Sequence, residues 1–261
     1  SALDVDVNRG AIYPSLALDS SSKPVIAWME YDNQNSNIYV KRWTGSAWQQ
    51  LGSALDMTST NPAAFPSLAV NSSGQPIVAW EEEFDNNKNI YVKRWNGTSW
   101  VRVGTAPLDI NAAQNTNGAS LALDSAGHPV VAWQEFNNNT FYNLYVRRWN
   151  GTAWVNVSVS PLETKTSNYV FNASLALDAS GNPVVSWEEC DATQIHSSGT
   201  ACLTGSDVYL KRFTLQGWQP LGRAVDIRLA NAAFSSSLAR KSNDRPVVAW
   251  HVSCHFSSCS T

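Results

Sequence analysis

The feature that most constrains the fold is an internal repeat of about 50 residues. The tripeptide Ser-Leu-Ala recurs with spacings of 52, 53, 54 and 63 residues, at Ser15, Ser67, Ser120, Ser174 and Ser237. A tryptophan follows each tripeptide, and a proline stands four residues before each of these tryptophans. Each full repeat has four short apolar runs separated by turn residues. A period of this length with four strand-like runs is typical of a β-propeller blade.

The repeats predict an all-β protein, a β-propeller of four-stranded antiparallel blades with four complete repeats and a partial fifth. We expect one domain over residues 1–261, with repeat units at 14–56, 66–109, 119–162, 173–226 and 236–261. Residues 1–13 resemble the end of a blade. The fifth unit has no third or fourth strand, which would leave an open edge. This edge either closes within the chain, with residues 1–7 beside the fifth unit, or supports self-association.

Composition argues against two classes of partner. The net charge is −3 and only 15% of the residues are charged. A nucleic-acid-binding protein or one that binds an anionic membrane surface would need a strongly basic face. No run of about 18 apolar residues occurs, so the sequence predicts no membrane span.

The four cysteines are late in the chain. Cys190 and Cys202 flank a loop rich in glycine and serine, which predicts a disulfide and an oxidising compartment. The tail reads His251-x-x-Cys254-His255-x-x-x-Cys259, and these ligand types could bind zinc. Because both cysteine pairs follow the same repeat tryptophan, we favour two local disulfides over a metal site. We expect no metal, no cofactor and an extracellular location, secreted or at the cell surface.

The 12 tryptophans occupy three repeat positions. Two of these positions flank the hairpins WTGSAW, WNGTSW and WNGTAW, so two indoles should be neighbours across each turn. One interpretation is that these rings pack neighbouring blades together. The other is that they form platforms for the apolar face of a sugar. The candidate ligand-binding residues are Trp43, Trp48, Trp95, Asn96, Trp100, Trp149, Asn150, Trp154 and Trp218.

Charged residues also recur once per repeat. A glutamate column lies on the second strand, at Glu30, Glu82, Glu135 and Glu189. Dibasic pairs on the third strand begin at Lys41, Lys93, Arg147 and Lys211. We expect a cross-strand ion pair in each blade. The residues that break the pattern are better places to seek chemistry: Asp32, Asp85, Asp191, His196, His251 and His255. None forms a catalytic triad in sequence, so we predict no catalytic residue and no enzymatic activity.

The segments SLALDSAGHPVVAW and NLYVRRWNGTAW resemble repeats of secreted bacterial β-propeller proteins. The hairpins are similar to the W-D-G-x-x-W hairpins of bacterial propeller lectins and, more distantly, of tectonin-like lectins. This resemblance covers essentially the whole chain and implies that sugars bind against the hairpin tryptophans. The chain is more distant from sialidase-type propellers, because it lacks their Asp-box S-x-D-x-G-x-x-W.

We therefore expect a secreted, non-catalytic propeller that recognises glycans or another cell-surface ligand. One alternative is a structural or assembly subunit of an extracellular surface layer or fibre. A second alternative is a diverged sialidase-like glycoside hydrolase.

Overall fold

The computed structural model describes residues 3–32, 35–137, 141–157, 162–165, 168–191, 206–222, 232–241 and 244–253. It divides into two compact units, Ser1–Val131 with Arg148–Val155, and Ala132–Arg147 with Asn156–Thr261. Every regular element in the described ranges is a β-strand. Within these ranges no helix has the length and apolar character needed to cross a membrane.

The eighteen strands in the described ranges are short, as expected for propeller blades. Their bounds are β1 Ala11–Leu18, β2 Pro24–Tyr31, β3 Ser36–Trp43, β4 Trp48–Gln50, β5 Ala63–Val70, β6 Pro76–Phe84, β7 Asn87–Trp95, β8 Trp100–Arg102, β9 Thr116–Leu123, β10 Pro129–Asn137, β11 Phe141–Trp149, β12 Trp154–Asn156, β13 Asn168–Leu177, β14 Pro183–Asp191, β15 Asp207–Thr214, β16 Gly217–Pro220, β17 Ala232–Arg240 and β18 Pro246–Ser253.

The strands pair in the order in which they occur along the chain. They form the sheets β1-β2-β3-β4, β5-β6-β7-β8, β9-β10-β11-β12 and β13-β14-β15-β16, with β17 and β18 as a two-stranded sheet. This arrangement confirms the predicted fold class, an all-β propeller built from four-stranded antiparallel sheets. In the described part of the fifth repeat only the first two strands are present.

The hairpin between the third and fourth strands contains Asn-Gly in the second and third repeats. In the second repeat, Oδ1 of Asn96 accepts hydrogen bonds from the backbone N–H groups of Thr98 and Ser99, both at 2.9 Å. Gly97 has φ of +109°, a conformation that residues with a Cβ atom rarely adopt. The turn places Trp95 opposite Trp100 in the strand register.

The Ser-Leu-Ala strands contact one another through the serine hydroxyl. Oγ of Ser15 accepts a 2.9 Å hydrogen bond from the backbone N–H of Leu68 in the next repeat. Ser67 accepts from Leu121 in the same way at 3.0 Å. The second unit repeats this contact between Ser174 and Leu238 at 2.9 Å. A small hydroxyl side chain is therefore required at this position, since it satisfies a backbone donor of a strand in another sheet.

Packing inside each unit uses the apolar faces of adjacent sheets. In the first unit, one cluster joins the first and second sheets and includes Val40, Leu55 and Trp80. In the second unit, Val184 and Leu210 pack with Leu238 of the following sheet. Burial of such side chains contributes about 1.5–3 kcal/mol each.

Candidate functional site

The structure places each predicted pair of hairpin aromatic rings in contact. The ring centroids are 5.5 Å apart for Trp43 and Trp48, and 5.4 Å apart for Trp95 and Trp100. The equivalent distances are 5.6 Å for Trp149 and Trp154, and 5.3 Å for Phe213 and Trp218. Each pair belongs to its own hairpin, so these tryptophans form repeated aromatic pairs and not one cluster.

Two of these pairs also pack against the preceding repeat. The indole Nε1 of Trp100 donates to the carbonyl oxygen of Leu51 at 2.6 Å, and Trp154 donates to Val103 at 2.9 Å. A Cβ atom at Gly52 would lie 3.1 Å from the ring of Trp95, which explains why glycine follows Leu51. This geometry shows that the first interpretation, packing between repeats, applies to these rings. Sugar binding by the hairpin tryptophans stays a prediction.

Asn96 and Asn150 use their side-chain oxygens inside the hairpin turns. Oδ1 of Asn150 accepts from the N–H groups of Thr152 and Ala153 at 3.0 and 2.8 Å, matching the geometry at Asn96. Their candidate role in ligand binding also stays a prediction.

The prediction of cross-strand ion pairs between the glutamate column and the dibasic pairs is wrong. The ion pairs found among the described residues join other residues. In the second repeat Glu82 is opposite Asn89, whereas Lys93 is opposite Val78, four positions away along β6. This register keeps the two charges apart, and each binds backbone groups instead.

Glu82 and Lys93 hold the same connecting loop from its two sides. The Glu82 carboxylate accepts the N–H groups of Met57 and Thr58 at 2.8 and 2.9 Å, and the indole N–H of Trp80 at 2.9 Å. The Lys93 ammonium donates to the carbonyl oxygens of Leu55 and Asp56. It also lies 5.6 Å from the ring centre of Trp80.

The same two contacts recur in other repeats. Glu30 accepts from Val5 and Asp6, and Lys41 donates to Leu3 and Asp4. In the second unit, Glu189 accepts from Thr164 and Lys165, and Lys211 donates to Leu162. Residues that make the same backbone contacts in several repeats have a structural role. The glutamate column is therefore not a candidate catalytic or ligand-binding site.

A pocket of about 700 Å³ lies in the second repeat, within the first unit. Its floor is formed by Tyr91 on β7 and Arg102 on β8, and its rim by Phe84 and Asp85 at the turn between β6 and β7. The remaining lining residues come from β7 and two loops: Met57, Thr58, Asn87, Asn89, Pro107, Ala112 and Ala113. The volume lies within the usual range of about 300–1,000 Å³ for small-ligand sites.

The strand register explains why these side chains meet. Alternate residues of a strand share a face, so Asn87, Asn89 and Tyr91 project to the same side of the sheet. Arg102 pairs with Lys93 and therefore joins this face. Asp85 has φ of +51° and forms the tight turn that brings Phe84 to the rim.

The guanidinium of Arg102 lies over the ring of Tyr91, 5.1 Å from its centre. Tyr91 is only 6% exposed, whereas Phe84 is 51% exposed. Burial is the main cause that raises the pKa of the Tyr91 hydroxyl, and the charge of Glu82 adds to it, so the hydroxyl stays protonated and able to donate. The pocket thus combines aromatic surface, a cation and amide or carboxylate groups.

Sequence reasoning named Asp85 as a residue that breaks the repeat pattern, but it missed Arg102 and Phe84. Comparison of the fourth strands contains the signal. The residue opposite the third-strand lysine is Gln50 in the first repeat, Arg102 in the second and Pro220 in the fourth. An arginine at a position that otherwise carries uncharged residues marks this repeat as different.

Sequence reasoning also missed Glu81, which follows the buried Trp80 and lies on the opposite face of β6. Glu81 is 2% exposed, and its Oε1 lies 2.8 Å from the ammonium of Lys88. Burial raises the pKa of this carboxyl although the contact with Lys88 opposes the shift. The corresponding residue in the first repeat is Met29, so the carboxyl is not required by the fold.

The structure shows no metal centre in the residues it describes, where no group of three or more His, Cys, Asp or Glu side chains is suitably placed. Cys254, His255 and Cys259 of the tail lie outside those ranges, as do Cys202 and His196. Cys190 is buried at the end of β14, beside Tyr169 and Phe171. No described cysteine is a free thiol. The pairing of Cys190 with Cys202, and of Cys254 with Cys259, stays a prediction.

No protein-family model matches the chain, and no curated protein matches its sequence. Solved structures do resemble it. A protein of unknown function from Dyadobacter fermentans is 12% identical, with a TM-score of 0.62 over 94% of this chain and 76% of that one. The α-L-arabinanase of Penicillium chrysogenum, complexed with arabinobiose, is 14% identical, with a TM-score of 0.59 over 94% and 76%. A polysaccharide lyase, an ulvan lyase, is 13% identical, with a TM-score of 0.59 over 92% and 66%.

These similarities establish the propeller fold and correct one expectation. The sequence led us to expect that the protein is not an enzyme. The arabinanase and the ulvan lyase have the same fold and are enzymes, which contradicts that expectation. The lack of an Asp-box or a local triad excludes two sequence motifs, whereas catalytic side chains that are far apart in the sequence can meet in the folded protein.

Proposed function

We propose that this protein interacts with a polysaccharide outside the cell and that one sugar unit occupies the pocket of the second repeat. The observation that carries this proposal is the exposed ring of Phe84 beside the polar groups of Asp85 and Asn87. A sugar ring has one apolar face that stacks on an aromatic side chain. Its hydroxyls need donors and acceptors at the rim, which these residues supply.

The similar structures support a polysaccharide as the ligand, but they do not identify it. Two of the enzymes that share the fold, the arabinanase and the ulvan lyase, act on polysaccharides. A shared fold is compatible with many functions, so the side chains that line the pocket are the stronger support for a sugar ligand.

Binding of the protein to a panel of plant, algal and bacterial polysaccharides tests the proposal. Phe84→Ala should weaken binding about tenfold, which corresponds to ~1.4 kcal/mol, because it removes the stacking surface. Tyr31→Ala is the matched control, since Tyr31 is an aromatic residue of the first repeat with a similar exposure of 47%. It should leave the affinity unchanged.

Trp48→Ala in the same assay tests the competing hairpin site. If Trp48→Ala weakens binding and Phe84→Ala does not, sugars bind at the hairpin tryptophans and the pocket assignment is wrong. If no polysaccharide binds the wild-type protein, carbohydrate interaction is rejected, and the structural or assembly role becomes the better hypothesis.

A second candidate function is cleavage of a polysaccharide chain at the face of β6 opposite to the pocket. Glu81 is a buried carboxyl with a raised pKa, the property of a general acid, and Glu83 projects from the same face of β6. Their Cα atoms are roughly 7 Å apart from strand geometry, and a glycosidase needs two carboxylates near one bond. Size analysis of polysaccharides after incubation with the wild-type protein tests this function. If Glu81→Gln forms the products as fast as the wild-type protein does, Glu81 is not the general acid.

A further inference from the structure

The guanidinium of Arg102 lacks an anionic partner in the described part of the structure. Its one strong contact is the ring of Tyr91, 5.1 Å from the guanidinium carbon. Its Nη2 atom is buried and makes no hydrogen bond to any described residue. A buried donor without an acceptor is costly, and the positive charge of this half-buried side chain has no negative partner among the described residues. The side chain could therefore bind a ligand that supplies a hydrogen-bond acceptor and a negative charge.

The nearby carboxylates are engaged by other groups. Glu82 accepts from Met57, Thr58 and Trp80, as described above. Oδ1 of Asp109 accepts the backbone N–H of Ile90 at 3.0 Å. Asp85, the other charged residue lining the pocket, lies on an exposed turn, where water screens its charge. None of these carboxylates forms an ion pair with Arg102 among the described contacts.

The fold does not require arginine at this position. The strand pairing is the same where Gln50 or Pro220 stands opposite the third-strand lysine. Both residues are uncharged, and neither has the fork of N–H donors that arginine carries. Arg102 is thus a departure from the repeat that strand pairing does not explain, and it lies on the floor of the pocket.

We propose that the pocket selects a saccharide that carries an anionic group, a carboxylate or a sulfate, which Arg102 binds. This inference rests on the proposed function, because it names the class of sugar for the same pocket. The guanidinium lies over the ring of Tyr91, and its parallel N–H groups match the paired oxygens of either anion. Phe84 then contacts the sugar ring, while Asn87 and Asn89 lie beside its hydroxyls.

Two matched ligand pairs test the inference: an oligogalacturonate with its methyl ester, and a sulfated oligosaccharide with its desulfated form. The wild-type protein should bind the charged member of at least one pair ten times more tightly or better. The pair that shows the preference identifies the anion. Added salt should reduce the preference, because the contact is between charges.

Arg102→Gln introduces the residue of the first repeat and should reduce the ratio of the two affinities to near one. Arg102→Lys keeps the charge without the fork and should give an intermediate ratio. Arg94→Gln is the control, since Arg94 is an exposed arginine of the same repeat outside the pocket lining. It should leave the ratio unchanged. Circular dichroism and urea unfolding confirm that each variant is folded.

Equal affinity for charged and uncharged members in both pairs would overturn the inference while leaving carbohydrate binding intact. A charge preference that persists in Arg102→Gln would also overturn it, because another residue would then bind the anion. If neither member of either pair binds, and no other polysaccharide does, the proposed function fails and the inference fails with it.

Discussion

The indole nitrogen of Trp100 lies 2.6 Å from the carbonyl oxygen of Leu51, so the hairpin of one repeat binds the backbone of the repeat before it. The corresponding indole of Trp48, in the first repeat, makes no such hydrogen bond to any described residue. The two tryptophans therefore have the same place in their hairpins and different energetic roles.

Trp100→Phe should destabilise the first unit because it leaves the Leu51 carbonyl without its donor and reduces packing on Gly52. We expect a loss of about 1–3 kcal/mol in the free energy of unfolding, measured by urea denaturation. Trp48→Phe is the control and should cost less. Equal losses for both substitutions would mean that the contact with Leu51 contributes nothing.

Ser67→Ala should be costly although it removes a single oxygen. The N–H of Leu121 donates to this hydroxyl at 3.0 Å, and the substitution leaves a part-buried donor without an acceptor. We expect a loss of about 1–3 kcal/mol in the free energy of unfolding. Ser72→Ala, at an exposed turn, should change stability by less than about 0.5 kcal/mol. A neutral effect of Ser67→Ala would show that water replaces the hydroxyl.

Glu82→Ala should release the loop at Met57 and Thr58, because three donors lose a common acceptor. We expect a loss of about 3 kcal/mol or more, together with faster amide hydrogen exchange at these two residues. Glu83→Ala, one residue further along β6, should leave the exchange rates unchanged. Unaltered exchange at Met57 in Glu82→Ala would contradict the role assigned to the glutamate column.

The carboxyl of Glu163 should make stability fall as pH rises from 4.5 to 7. Burial raises its pKa from 4.5 to about 7, and the charge of Glu189 adds to the shift. The folded state therefore binds the proton more tightly than the unfolded state. The contribution to stability is complete below pH 4.5 and is lost as pH rises through 7.

Glu163→Gln should flatten this part of the pH profile while keeping an acceptor for the N–H of Leu144. A shift of this size corresponds to about 3 kcal/mol at most. The measurement is the free energy of unfolding at pH 4.5, 5.5, 6.5 and 7.5 in both proteins. Parallel profiles for the wild-type protein and the variant would refute the assignment to Glu163.

Local chemistry made much of the fold predictable. The Asn-Gly turns, the prolines at strand starts and the alternating apolar runs each act within a few residues. They predicted the four-stranded sheets and the contact of Trp95 with Trp100 across a hairpin. The sequence contains five copies of the same unit, which can be compared with one another. Residues that depart from the common pattern, such as Asp85, are therefore visible without any structure.

The candidate site depended on tertiary structure. Sequence spacing suggested that Glu82 and Lys93 form a pair, but the register separates them by four positions, and both bind the loop that enters from the preceding repeat. The pocket likewise joins Phe84 and Arg102 of the second repeat with Met57 of the loop that precedes it. The repeated sheet and its turns follow from interactions between residues that are close in the sequence. The partners of the charged side chains depend on the path of the loops between sheets: Glu82 and Lys93 bind backbone groups, whereas Nη2 of Arg102 makes no hydrogen bond to any described residue.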